Sequence, residues 1–214
     1  MEASALPAAP DFGTPSLIGG RLREQRQRKG LTVRDLATRV GVSPSLISQI
    51  ERDKVKPSVS TLWGLVTVLG IPISELFPDT DTASGIQQAS RPAHDGPVTT
   101  PANRAVINLE GGVRWERLTA DTDSLVEFLS VEYSPGAASC EEDSLVRHGG
   151  KEYGYILSGR LGVRIGFDEH ELGPGMAISF DSSSPHRLWT IGTQPVQAIW
   201  VVVGRQSDNR GPRI

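Results

Sequence analysis

The apolar residues of this 214-residue chain change their spacing once, and abruptly. From Ser16 to Pro78 they recur at helical intervals in short runs broken by Gly and Pro. From Arg104 to Gly204 they form short runs such as VRWERL, SLVEFLSVEY and AIWVVVG between turn-forming residues. A helix returns side chains to one face about every 3.6 residues and a strand every two or so, so the two stretches cannot share one secondary structure. Residues 79–103 between them are Asp, Thr, Ser, Gly and Pro with hardly a large apolar side chain, the composition of a linker. The chain therefore reads as a flexible Ala- and Pro-rich tail (1–15), an all-α unit (16–78), a linker (79–103), an all-β unit of antiparallel strands (104–204) and a second tail (205–214). The expected fold class is multidomain α + β, with the two halves separately folded.

Charge divides at the same place. Residues 16–79 carry ten Lys and Arg against six Asp and Glu, or +4, whereas residues 80–214 carry twelve against seventeen, or −5. A basic module joined to an acidic one points to polyanion binding in the first half alone. The lone cysteine, Cys140, rules out an internal disulfide and a cysteine-only metal cage, and its acidic neighbours Glu141, Glu142 and Asp143 should raise its pKa. No apolar run reaches the length of a membrane span and the N-terminus lacks a leader pattern, so a cytoplasmic protein without membrane contact is expected.

Five helices are expected in the first half. The first runs from about Leu17 to Lys29 and stops at Gly30. Thr32 and Asp35 have capping-box spacing ahead of the second, which Gly41 ends. Ser43 can cap the third, with Pro44 in its first turn and Ile47 and Ile50 facing inward, leaving Ser45, Ser48, Gln49 and Arg52 outward. The fourth opens at Ser58 and packs through Leu62, Leu65, Val66 and Leu69, with Trp63 as a core aromatic. A fifth lies near Ile73 to Phe77. Two helices around a tight turn at Gly41 make a helix-turn-helix, and the short third helix suits a DNA major groove, where Gln49 offers a bidentate amide edge to adenine. A small helical interaction module with a merely solvated basic face is the alternative.

The stretch GLTVRDLATRVGVSPSLISQIERDKVKPSVSTLWGLVTVLGI resembles the lambda-repressor-like, XRE-type DNA-binding domain. The resemblance implies that Ser43, Pro44, Ser45, Ser48 and Gln49 face base edges, that Thr32 and Lys54 lie near phosphates, and that Arg26 pairs with Glu51 inside the domain. Arg52 joins the phosphate contacts by its place just after the reading helix. Val33 stands where the family often has Gln, and Asp53 where it usually has Gly, which puts particular phosphate contacts in question without threatening the fold.

In the second half, His148 and Glu152 are four apart, an even spacing that returns both to one face of a strand, and His186 arrives on another strand. Two imidazoles and a carboxylate make the facial triad that holds a divalent metal with positions left open. The His-x3-Glu-x6-Gly pattern of His148, Glu152 and Gly159, with Pro174, Gly175 and His186 after it, resembles the cupin family. That implies a double-stranded β-helix or jelly-roll barrel whose centre takes zinc, iron, manganese or nickel at His148, Glu152 and His186. Val146 occupies the position of a further common ligand and Thr190 that of a common Asn, so three ligands remain. The same residues could instead hydrogen-bond an effector without metal. Trp115, Trp189 and Trp200 read as barrel packing, Arg147 as a solvated cation or an anion contact, and His94 and His170 as spectators.

The combination reads as a regulator without catalytic residues: the helical unit binds a double-stranded operator as part of a homodimer, and the cupin unit binds a small-molecule effector. The competing class is an enzyme, because a helical unit before an intact His/Glu/His cupin is similar to the mononuclear non-haem iron epoxidases of hydroxypropylphosphonate. A silent scaffold, binding neither DNA nor ligand, is the third.

Overall fold

The computed structural model describes residues 18–78 and 97–204. Both expected tails and most of the expected linker lie outside the described residues. Among the described residues the N-terminal half has four α-helices: α1 (Ile18–Arg28), α2 (Val33–Val40), α3 (Pro44–Ile50) and α4 (Val59–Leu69). The fifth expected helix is instead a 3-10 turn over Ile73–Leu76. Four residues after Pro72, without a side-chain cap and extended again at Phe77, are too few to close an α-helical ladder.

Local chemistry sets the helix ends. Asp35 N donates to Thr32 Oγ1 at 3.1 Å and Thr32 N to Asp35 Oδ2 at 2.9 Å, so the shorter acid completes the capping box ahead of α2. Gly41, at φ 81°, then turns the chain out of that helix. Ser43 caps α3 through Leu46 N, and Ser58 caps α4 through Thr61 N. Leu22, Leu36, Ile47, Ile50, Leu62, Leu65 and Leu69 are buried between these helices.

Apart from short 3-10 turns at Pro101–Asn103 and Glu110–Gly112, the described C-terminal half is built of antiparallel strands: β1 (Val106–Asn108), β2 (Val113–Arg117), β3 (Val126–Tyr133), β4 (Lys151–Ser158), β5 (Leu161–Ile165), β6 (Asp168–Leu172), β7 (Ala177–Asp181), β8 (His186–Thr190) and β9 (Val196–Val203). They form a six-stranded sheet in the order β1-β2-β3-β9-β4-β7 and a three-stranded sheet in the order β6-β5-β8. Alternation decides what faces inward: along β9, Val196, Ala198, Trp200 and Val202 are buried while Gln197 and Val203 are exposed. Ile107, Trp115, Leu129, Val131, Ile156, Val163 and Leu188 complete the interior.

The halves touch in two places. Ser60 N, at the start of α4, donates to Ser139 O at 3.1 Å, and Glu110 N donates to Pro57 O at 3.0 Å. A second contact joins Ser74 N to Glu127 Oε1 at 3.1 Å, with the Arg117 guanidinium over the Phe77 ring. Trp63 is the residue most misjudged from sequence. It is buried against the barrel rather than in the helical core, stacked on His148 and tilted against Trp115.

Candidate functional site

The surface that the sequence marks as a candidate reading face is assembled by the caps at Thr32 and Ser43 and by one ion pair. Arg26 and Glu51 meet as a buried bidentate pair, Nε to Oε1 at 2.6 Å and the second guanidinium nitrogen to Oε2 at 2.8 Å, with a further guanidinium bond to Leu31 O. This pair ties α1 to the end of α3. Ser43, Pro44 and Ser45 are exposed at the start of α3, and Ser48 and Gln49 are half-buried along it. Gln49 Nε2 donates to Ser45 Oγ at 3.2 Å, which holds the amide along the helix surface. Arg52 folds back to Ser48, its Nε on Ser48 O at 2.9 Å, while Lys54 stays exposed. Seven residues at about 1.5 Å each give α3 a length near the width of a B-DNA major groove. Thr32 is exposed too, but its hydroxyl is committed to Asp35.

Asp53 explains one departure from the expected pattern. Its backbone takes φ 52°, the left-handed conformation that favours Gly, and Asp is among the residues that tolerate it. Its carboxylate accepts from Gly19 N at 2.9 Å and so caps α1. The acid is therefore directed at a helix N-terminus within the domain. At Gly19 a Cβ would lie 2.3 Å from Ile50 O, so this approach needs glycine.

Inside the barrel, His148, Glu152 and His186 converge, each buried, with one ligand atom apiece and all three atoms within 4.8 Å of one another. Glu152 and His186 are on strands β4 and β8, whereas His148 precedes β4 and is brought in by its backbone bond to Ser182 O and by Gly150 at φ 106°. His148 Nδ1 lies 3.1 Å from Gly149 O and His186 Nδ1 lies 2.9 Å from Ser184 O. A carbonyl can only accept, so both Nδ1 atoms carry hydrogen and both Nε2 atoms are free to act as ligands. Glu152 Oε1 sits 3.1 Å from His148 Nε2 and 3.3 Å from His186 Nε2.

Neither His148 Nε2 nor Glu152 Oε1 makes a hydrogen bond of acceptable geometry, although they are within ion-pair distance. Three converging lone pairs need positive charge between them, a proton or a cation, and the residues fit a divalent metal. Burial pushes the Glu152 carboxyl up, but the two imidazoles and the Trp200 N–H outweigh it and hold the group below the usual carboxylate range. Burial also lowers His186, partly opposed by Glu152, which favours the neutral imidazole that a metal requires.

The remaining wall is mostly apolar, with Trp115, Leu129, Val131, Leu188 and Trp200 from the barrel and Val59 and Trp63 from α4, beside Tyr133 and Ser139. Sequence reasoning missed Trp63 as part of this wall, and Trp200 as the residue whose Nε1 donates to Glu152 Oε2 at 2.7 Å. The Cys140 thiol is raised chiefly by burial, and its acidic neighbours are a lesser influence than expected. Arg147 and His170 are exposed, and His94 lies outside the described residues.

A helix-turn-helix family profile matches residues 22–76 and a cupin domain profile matches residues 129–202. The chain is 28% identical over 168 residues to the HTH-type transcriptional regulator PuuR of Escherichia coli (strain K12), covering 78% of this chain and 84% of that one. It is 37% identical over 65 residues, 30% of this chain and 84% of the other, to the HTH-type transcriptional regulator y4dJ of Sinorhizobium fredii. Among solved structures, an HTH_3 family transcriptional regulator from Vibrio cholerae shares the fold with a TM-score of 0.62 at 23% identity, over 95% of this chain and all of that one.

Proposed function

The chain belongs to the XRE-type helix-turn-helix regulators that carry a C-terminal cupin domain, and on that premise we propose that it is a sequence-specific transcription regulator controlled by a small-molecule effector. The observation that carries this reading is the reading helix itself: α3 is capped, short and presented to solvent by the Arg26–Glu51 pair. Ser43, Pro44, Ser45, Ser48 and Gln49 meet base edges, and Thr32, Arg52 and Lys54 serve the phosphates. For Thr32 the group that reaches DNA is the exposed end of α2 as a whole, since its hydroxyl is engaged.

One such domain reads too little sequence for genomic specificity, so the protein acts as a homodimer on two half-sites about one helical turn apart. The second copy sits on the outer face of the six-stranded sheet. There Phe128, Val201 and Tyr153 lie in register across β3, β9 and β4, and Phe128, Tyr153, Tyr155 and Leu157 are exposed. Such a continuous apolar face on an otherwise charged unit fits another copy of itself. Working on DNA assigns the protein to the cytoplasm.

The effector enters the barrel. His148, Glu152 and His186 would hold zinc, iron, manganese or nickel, and the metal would supply a Lewis-acidic docking point for an oxygen or nitrogen donor of the effector. The protein's own contribution is to hold both imidazoles by their Nδ1 atoms with Nε2 turned inward, to fix Glu152 through Trp200, and to surround the ligand with mostly apolar walls.

Selection from random duplexes tests the regulator: a two-fold related site is expected, and the absence of any consensus overturns the reading. Metal analysis after purification without chelator, alongside His186→Ala, tests the centre. Metal in the parent and loss in the variant is expected, and equal content rejects His186 as a ligand.

A further inference from the structure

The cavity in the barrel is walled on one side by Val59 and Trp63 of the helical half of the chain. Trp63, on α4, is 6% exposed; its ring centroid lies 3.9 Å from that of His148 with the planes 19° apart, and 5.9 Å from that of Trp115. Behind it lies a cavity of about 30 Å³, room for a water molecule or two. An organic effector must therefore move a wall.

The walls differ in what moving them costs. Leu129, Val131, Trp200 and Val202 stand on β3 and β9, which are hydrogen-bonded to strands on both sides, so shifting them breaks ladders. Val59 and Trp63 belong to a helix that meets the barrel through backbone hydrogen bonds from Ser60 N to Ser139 O and from Glu110 N to Pro57 O and through ring contacts, while the turn around Ser74 adds side-chain bonds to Glu127, Asp123 and Arg117 and no strand ladder. The opposite face of that helix is locked into the helical core through Leu62, Leu65, Val66 and Leu69. Displacing Trp63 therefore moves α4 as a rigid part of its domain, and α3 goes with it.

We propose that the Trp63–His148 stack is the point of transmission between the two halves: it holds the reading helix in the placement seen here, and an effector that fills the cavity takes the place of Trp63 and releases the DNA-binding domain. This rests on the regulator reading above. In a dimer, two reading helices held in fixed placement engage two half-sites at lower orientational cost. Release therefore weakens operator binding, and the effector acts through its preference for the released arrangement.

Full-length Trp63→Ala, His148→Ala, the double variant and Trp63→Phe test this with two readouts: operator affinity and amide exchange at Ser60, whose N–H reports the docked contact. Each alanine variant is expected to lose at least about fivefold in operator affinity, and to exchange Ser60 about tenfold faster. The double variant should be no worse than the weaker single one, because one contact is lost in each case. Trp63→Phe keeps an aromatic face and should stay within about twofold of the parent. Additive effects overturn the proposal, as does faster Ser60 exchange with unchanged operator affinity, and so does no change in either readout. Should Trp63→Ala not fold, Trp63→Leu, which keeps apolar volume without a ring, replaces it. If the parent selects no duplex sequence, the regulator reading falls; Ser60 exchange then still decides whether the stack joins the halves, and an unchanged rate rejects the stack as well.

Discussion

Trp200 donates its indole hydrogen to Glu152 Oε2 at 2.7 Å, and this one bond leaves Oε1 as the carboxylate atom that faces both imidazoles. Outer partners of this kind orient the ligands they touch and are worth about 10–100-fold in metal affinity. Trp200→Phe preserves the ring volume and removes the donor. We expect metal affinity, measured by competition with a chromophoric chelator, to fall by about that factor while the thermal transition of the metal-free protein moves little. An unchanged affinity would show that the carboxylate is oriented by packing alone.

Gln49 and Lys54 should fail in different ways. Gln49 lies half-buried along α3 with its amide already oriented by Ser45, so Gln49→Ala should relax preference at one base pair by about 1–3 kcal/mol. Lys54 is an exposed cation just beyond the helix, and Lys54→Ala should weaken all sequences alike while reducing the salt slope by about one. Binding to operator variants over a range of salt separates the two, and a uniform loss from both would remove Gln49 from the base-reading face.

Asp53 carries two opposed effects, a left-handed backbone and a helix cap. Asn can do both jobs, Gly relieves the backbone but loses the cap, and Ala loses the cap while keeping the strain. Thermal stability should follow parent ≈ Asp53→Asn > Asp53→Gly > Asp53→Ala, with the last costing about 1–2 kcal/mol. A stabilised Asp53→Gly would mean that the bond to Gly19 N contributes less than the backbone strain.

The Arg26–Glu51 pair is buried and bidentate, so removing one partner strands the other charge. Glu51→Ala should cost about 3–5 kcal/mol in chemical denaturation, and Arg26→Met with Glu51→Leu together should cost distinctly less. Equal losses would locate the stability of this corner in packing instead of charge.

What the sequence made legible was local. Caps at Thr32, Ser43 and Ser58, turns at Gly41, and strand runs bounded by Gly and Pro depend on neighbours a few residues away, and they mark the helices and sheets well. The triad was readable because His148, Glu152 and Gly159 keep a family spacing. The role of Trp63 was hidden because it depends on contact between halves separated by low-complexity sequence. Yet a signal existed: α4 carries Val59, Leu62, Trp63, Leu65, Val66, Val68 and Leu69, more apolar surface than one stripe, and a helix apolar on several sides is buried on several sides. Read that way, α4 demands a second partner. Asp53 was half legible, since its departure from Gly was visible but its bond to Gly19, thirty-four residues earlier in the chain, was not.

Gly154 lies two residues beyond Glu152 on β4, and a Cβ there would come within 2.2 Å of Cζ3 of Trp200. The indole that aims the carboxylate thus rests in the hollow left by a missing side chain. A residue with no chemistry of its own decides which way an acid looks, and the tolerance of this position to even a methyl group is a measure of how finely the barrel's centre is tuned.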